Sequence, residues 1–187
     1  MLRGSTARMV GFFMLIVLTA LAGFGCGGQG AQAPEEQVKI GITQIVEHAA
    51  LDAAREGFID ALKEEGYEEG KNVVYYIENA QNDKSNAMTI AQKFVSDKVD
   101  LILAISTPIA QACAQATKDI PILITAVTDP VAAGLVKSMD NPGTNVTGTT
   151  DMNPIYEQLE LIKKFVPDAK KVGVIYNAGE VTSEVQV

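Results

Sequence analysis

The chain has 187 residues, 47% hydrophobic and 20% charged, a composition that builds globular domains and excludes disorder as the main state. Fifteen basic against 23 acidic residues give a formal charge of −8, which makes the chain a poor partner for phosphate backbones and anionic lipid headgroups, and no nucleic-acid role is expected. Two cysteines, one histidine and no tryptophan exclude a disulfide scaffold and a His/Cys zinc site, and the length allows one complete domain or one domain and the beginning of another.

At the amino terminus, residues 1–9 carry Arg3 and Arg8 and no acid, and residues 10–22 are apolar apart from Gly11 and the single polar Thr19. A positive segment followed by an apolar one is the pattern of a signal peptide, here residues 1–25. The apolar stretch falls short of the roughly 20 residues that span a bilayer, which favours a cleaved signal over a permanent helix. It runs into Gly23, Phe24, Gly25 and Cys26, then a Gly/Gln/Ala/Pro tether reaching residue 37. This junction resembles the lipobox of bacterial lipoproteins, although Gly23 stands where Leu is usual and Phe24 where a small residue is usual. The resemblance implies that Cys26 becomes the lipidated first residue, anchored by acyl chains such as palmitate at about 0.8 kcal/mol per buried methylene. The alternative is ordinary secretion with Cys26 free; either way the body is expected outside the cytoplasm.

The body alternates strand and helix. Residues 38–43 read as a buried strand, and 49–65 as a helix with Leu51, Ala54, Phe58 and Leu62 on one face. A strand over 72–78 and a helix over 85–97, with Ile90 and Phe94 inward, come next. Residues 99–105 are apolar except for Asp100 and precede a helix over 108–117, in which Cys113 reads as a small buried hydrophobe. A fourth strand at 121–127, a short helix at 130–137 and a weaker strand at 145–150 follow. A helix over 154–166 places Ile155, Leu159, Ile162 and Val166 on one side, and a last strand is expected at 171–176. Strands apolar throughout, separated by amphipathic helices, predict an α/β fold whose parallel sheet is flanked by helices on both faces. Right-handed crossovers then put every strand-to-helix loop on one edge, the edge where open α/β sheets bind ligands.

Thr107-Pro108, Asp129-Pro130 and Asn153-Pro154 each set a capping side chain before a proline suited to a first helical turn. Each pair reads equally well as nothing more than a good helix start. The first two, however, directly follow strands, so their free N–H groups and positive dipole ends would face the ligand edge and suit a carboxylate. No Gly-rich phosphate loop, P-loop or G-x-S-x-G elbow is present, and no cofactor is indicated. A Ser106/His48/Asp129 triad on that edge would make a small secreted hydrolase, but Ser106 lacks the sharp Gly-flanked turn such a nucleophile needs. His48 reads equally as an N-cap or loop residue. Polar groups without an evident reaction point to binding alone.

Residues 39–48 (KIGITQIVEH) with 51–58 (LDAAREGF), 104–111 (AISTPIAQ), 125–131 (TAVTDPV) and 145–148 (NVTG) with 151–154 (DMNP) form four ordered motifs. Together they resemble the substrate-binding lipoproteins of ABC transporters of the tryptophan/tyrosine type, over nearly all of 38–177. The resemblance implies one lobe of a type I periplasmic-binding-protein-like fold, a small-molecule ligand such as an aromatic amino acid, an ABC permease partner in the membrane, and no catalysis. It implies that Gln44 and His48 face the cleft. Ser106 and Thr107, with the amides after them, would hold the ligand carboxylate. Thr128 and Asp129 would meet an amino group or close the site, and Asp151 would lie at the lobe crossing. Ala49 departs from the family, which commonly has proline there.

Members of that family are about twice as long, with two lobes of about 100–200 residues each. The expectation is therefore a first lobe over 38–150, then a hinge and the beginning of a second, incomplete lobe over 151–187. A lipid-anchored sensor that presents its ligand to a receptor is a third possible class, and a neighbouring permease and ATPase gene would argue against it.

Overall fold

The computed structural model describes residues 37–187; the expected signal peptide, Cys26 and most of the expected tether, at residues 1–36, lie outside the described residues. Helices separate the first four strands, and β5 follows β4 without one: β1 (Val38–Gln44), α1 (Ala49–Glu64), β2 (Val73–Asn79), α2 (Lys84–Ser96), β3 (Leu101–Ile105), α3 (Thr107–Ala116), β4 (Ile122–Val127) and β5 (Val146–Thr150). Two further helices follow, α4 (Ile155–Phe165) and α5 (Val181–Glu184). The strands form one sheet in the order β2-β1-β3-β4-β5, and every pairing is parallel.

The alternation of side chains along β1 and β3 divides the core in two. Ile40 and Ile42 of β1 and Leu103 and Ile105 of β3 pack on one face, under Leu51, Phe58, Ile59 and Leu62 of α1. Ile102 and Ala104 of β3 point the other way, into a larger cluster with Ile90 and Phe94 of α2 and Ile109, Ala110 and Cys113 of α3. Cys113 is fully buried, and desolvation pushes its thiol up to about 12. Gly41 has no side chain because an added Cβ would lie 2.8–2.9 Å from the Phe94 ring, so glycine lets α2 approach β1 closely. Asp100, the polar break before β3, is held at the start of the sheet: its carboxylate accepts from Lys39 N at 2.8 Å.

Two segments and two helix caps differ from the sequence reading. Residues 130–137 form a hydrogen-bonded turn and no helix. Asp129 Oδ1 does cap Val131 N and Ala132 N, both at 2.9 Å, but Gly134 turns left-handed at φ +71° and sends Leu135 and Val136 into the core. Residues 171–176 form no strand and pair with none, and Ile175 is fully exposed; a strand needs a neighbouring strand to take its backbone hydrogen bonds. The caps also shift: Ser106 rather than Thr107 is the N-cap of α3, and Pro154 rather than Asn153 that of α4. Among the described residues no helix is long and apolar enough to cross a membrane.

Candidate functional site

Neighbouring strands β1 and β3 send their chains to opposite faces of the sheet, β1 into α1 and β3 into α3. Diverging loops of this kind open a crevice at the carboxyl ends of the strands, the ligand position of doubly wound sheets.

On the β1 side, Gln44 is buried and both ends of its amide are hydrogen-bonded. Nε2 donates to Val46 O at 2.9 Å and to Asp52 Oδ1 at 2.8 Å, and Arg55 Nη1 donates to Gln44 Oε1 at 2.7 Å. Arg55 Nη1 also reaches Asp52 Oδ1 at 3.1 Å, closing a compact network between β1 and α1. Gln44 therefore faces α1 and lines, with Arg55, Glu47 and Asn79, a cavity of about 360 Å³ on the β2 side of the loop. His48 is exposed, and its Nδ1 accepts from Ala50 N at 3.2 Å as the N-cap of α1.

On the β3 side, Ser106 sits at φ 99°, ψ 153°, a region that side-chain-bearing residues rarely enter. As N-cap of α3 it makes no side-chain cap bond, and both its Oγ and the Thr107 Oγ1 are buried without a hydrogen-bond partner. Thr107 is 4% exposed. The first turn of any α-helix carries N–H groups with no acceptor of its own, and the helix dipole makes that end positive. Strain, uncapped amides and two unpaired hydroxyls thus coincide at one point, an arrangement that an anionic ligand group satisfies. Thr43 Oγ1, one strand over, is a third buried hydroxyl without a partner, and it did not stand out in the sequence because it lies within a strand.

Beyond β4, Thr128 is buried and its carbonyl accepts from Thr150 Oγ1 at 2.6 Å, while Asp129 keeps Oδ2 free of the capping bonds that occupy Oδ1. Asp151, exposed at the end of β5, donates its N–H to Val127 O at 3.3 Å. All seven candidate residues thus lie at or just beyond the carboxyl ends of β1, β3, β4 and β5. They are not one contact cluster: Gln44 turns to α1, and Ser106 Oγ makes no bond to His48, so the Ser106/His48/Asp129 triad is not assembled. Among the described residues no group of three or more His, Cys, Asp or Glu could hold a metal ion.

Sequence reading missed Lys84, Gln111, Glu180 and Thr182, which with Thr107 and Pro108 line a small cavity of about 60 Å³ at the start of α3. Nothing in the local pattern links residues 179–182 to residue 107; only the fold brings them together.

A five-stranded parallel sheet with this order, flanked by helices, is one lobe of a periplasmic-binding-protein-like fold. The chain belongs to the ABC transporter substrate binding protein family, whose model matches residues 39–187. A "Tyrosine-binding protein" of Clostridioides difficile is 59% identical over 153 residues, 82% of this chain and 44% of the relative. The ligand-free, open structure of a substrate binding protein with adhesive properties from Clostridium difficile is 60% identical, with a TM-score of 0.69, over 80% of this chain and 50% of that one. An ABC domain in complex with L-Trp from Streptococcus pneumoniae is 42% identical, with a TM-score of 0.76, over 81% of this chain and 51% of that one. The chain spans about half the length of these relatives or less.

Proposed function

We propose that this protein is the extracytoplasmic solute-binding component of an ABC importer. It takes an aromatic amino acid such as tyrosine or tryptophan in a cleft between two lobes and delivers it to a membrane permease without chemical change. The observation that carries the reading is the start of α3. There the strained Ser106 and the buried Thr107 leave two hydroxyls unpaired beside uncapped amides at the sheet's switch point, a ready seat for a carboxylate. The named ligands of the two relatives, tyrosine and L-Trp, support the choice of solute.

In this reading Thr128 and Asp129 meet the ammonium group, through the Asp129 oxygen not used in capping, and His48 borders the cleft from the first loop. Gln44, held by Asp52 and Arg55, shapes the floor of that loop, and Asp151 marks the crossing out of the first lobe, 38–150, into the hinge and second lobe. The signal peptide and lipidated Cys26 hold the protein at the outer face of a membrane.

Titration calorimetry of the protein against a panel of amino acids and nucleosides tests the proposal. One-to-one binding of L-tyrosine or L-tryptophan is expected, and silence toward every aromatic amino acid rejects it. Turnover of a generic ester, abolished in His48→Ala, would instead favour hydrolysis at the same edge.

A further inference from the structure

We infer that Lys84 is a specificity-determining residue, the countercharge for the carboxylate of a ligand seated on the start of α3; the inference rests on the functional reading above. Lys84 is the first residue of α2 and lines the same small cavity as Thr107, Pro108 and Gln111 of α3. It is the one cation in that lining. A lysine at a helix amino terminus opposes the positive end of its own helix dipole, so helix formation gives no reason for this residue type there. Asp83, the residue before it, does serve the helix: its carboxylate caps α2 by accepting from Ser85 N at 2.6 Å and Asn86 N at 3.1 Å.

Lys84 makes no ion pair with any acid among the described residues, although Glu180 lines the same cavity. Lys84 thus borders one small volume together with Thr107, whose buried hydroxyl has no partner, at the amide-rich start of α3. A carboxylate set there takes a point charge from Lys84 and hydrogen bonds from Thr107 and the α3 amides. A neutral amide in its place forfeits the first. Lys84 thus discriminates free amino acids from their amides or esters, and its contribution weakens as salt rises, because the ammonium is exposed.

The test is calorimetry of the full chain and its Lys84→Gln and Lys84→Arg variants, with L-tyrosine and L-tyrosinamide or, if the wild type prefers it, L-tryptophan and L-tryptophanamide. Lys84→Gln is expected to weaken the amino acid about three- to tenfold while leaving the amide within about twofold, and Lys84→Arg to stay near wild type. Unchanged affinity of Lys84→Gln for the amino acid overturns the inference alone. Equal losses for acid and amide overturn it too, since they report altered shape rather than charge. A wild type that binds neither aromatic amino acid overturns the functional reading and this inference with it.

Discussion

At φ 99° and ψ 153°, Ser106 occupies backbone space that is essentially glycine's, and strain of this kind costs about 1–3 kcal/mol wherever a side chain endures it. What the conformation achieves is positional: Ser106 N still donates to Thr125 O at 3.1 Å while Ser106 O accepts from Ala110 N at 3.0 Å, so a single residue turns the chain from sheet to helix. Ser106→Gly should therefore raise stability by about 1 kcal/mol, after the larger unfolded-state entropy of glycine is deducted. That is a Tm increase of about 2–4 °C at this chain size. The same change removes a buried, unpaired hydroxyl at the start of α3 and, on the proposed function, should lower affinity for the aromatic amino acid. Calorimetric melting and ligand titration check both halves; a less stable variant, or one that binds as before, contradicts the account of a site that trades stability for geometry. The sequence indicated the region, through Ser106-Thr107-Pro108 after an apolar run, but not the distribution of roles within it. The capping rule pointed to Thr107, whereas a one-residue β3–α3 junction forces the cap back to Ser106. Lys84 and Glu180 were invisible for a different reason: no local periodicity reports which distant loop folds over a helix end.

Two glycines carry the packing of whole elements, and they differ in what stands opposite. A Cβ at Gly41 meets the buried Phe94 ring at 2.8 Å, so there a side chain rather than backbone has to give way. At Gly148 a Cβ would meet Ile124 O at 2.1 Å and Ile124 N at 2.6 Å, backbone atoms in the β4–β5 ladder, and the residue also stands at φ +147°. Gly41→Ala should cost about 1–3 kcal/mol, the usual range for overpacking. Gly148→Ala should cost more, about 3–5 kcal/mol, and loosen β5. Urea denaturation orders the two variants, and the reverse order would mean that β5 is more pliable than its neighbour. At this scale the sequence was informative wherever an element's partners are dictated by its own pattern. The apolar runs of β1, β3 and β4 and the 3.6-residue spacing of α1 and α2 led to the observed sheet and helices. Residues 130–137 and 171–176 were misread because a capping pair and an apolar stretch state a propensity only. The first was cut short by Gly134 at φ +71°, and the second finds no strand to pair with.

Burial is unevenly spread over the described chain, and stability should follow it. The residues of β1, β3, α2 and α3 supply most of the core, including Phe94, Ile102, Ile105 and Ile109, each fully or almost fully buried. Past β5 the pattern inverts: α4 and α5 bury no residue, and Phe165 is 82% exposed. The amphipathic spacing of Ile155, Leu159 and Ile162 was legible in the sequence, but Leu159 is exposed and the other two are only half-buried, because the face they form is poorly covered among the described residues. Elements with few buried contacts open locally at little cost, whereas central strands exchange their amides only when the domain unfolds. Hydrogen exchange should therefore protect the amides of β1 and β3 up to the global stability and leave those of α4 orders of magnitude faster. Substitution should divide the same way. Phe94→Ala is expected to cost about 3–5 kcal/mol, as for any large ring removed from a core, and Phe165→Ala less than about 0.5 kcal/mol. Equal protection of α4 and β3, or a Phe165→Ala cost approaching that of Phe94→Ala, would show that α4 is part of the cooperative unit and that its apolar face is covered in solution.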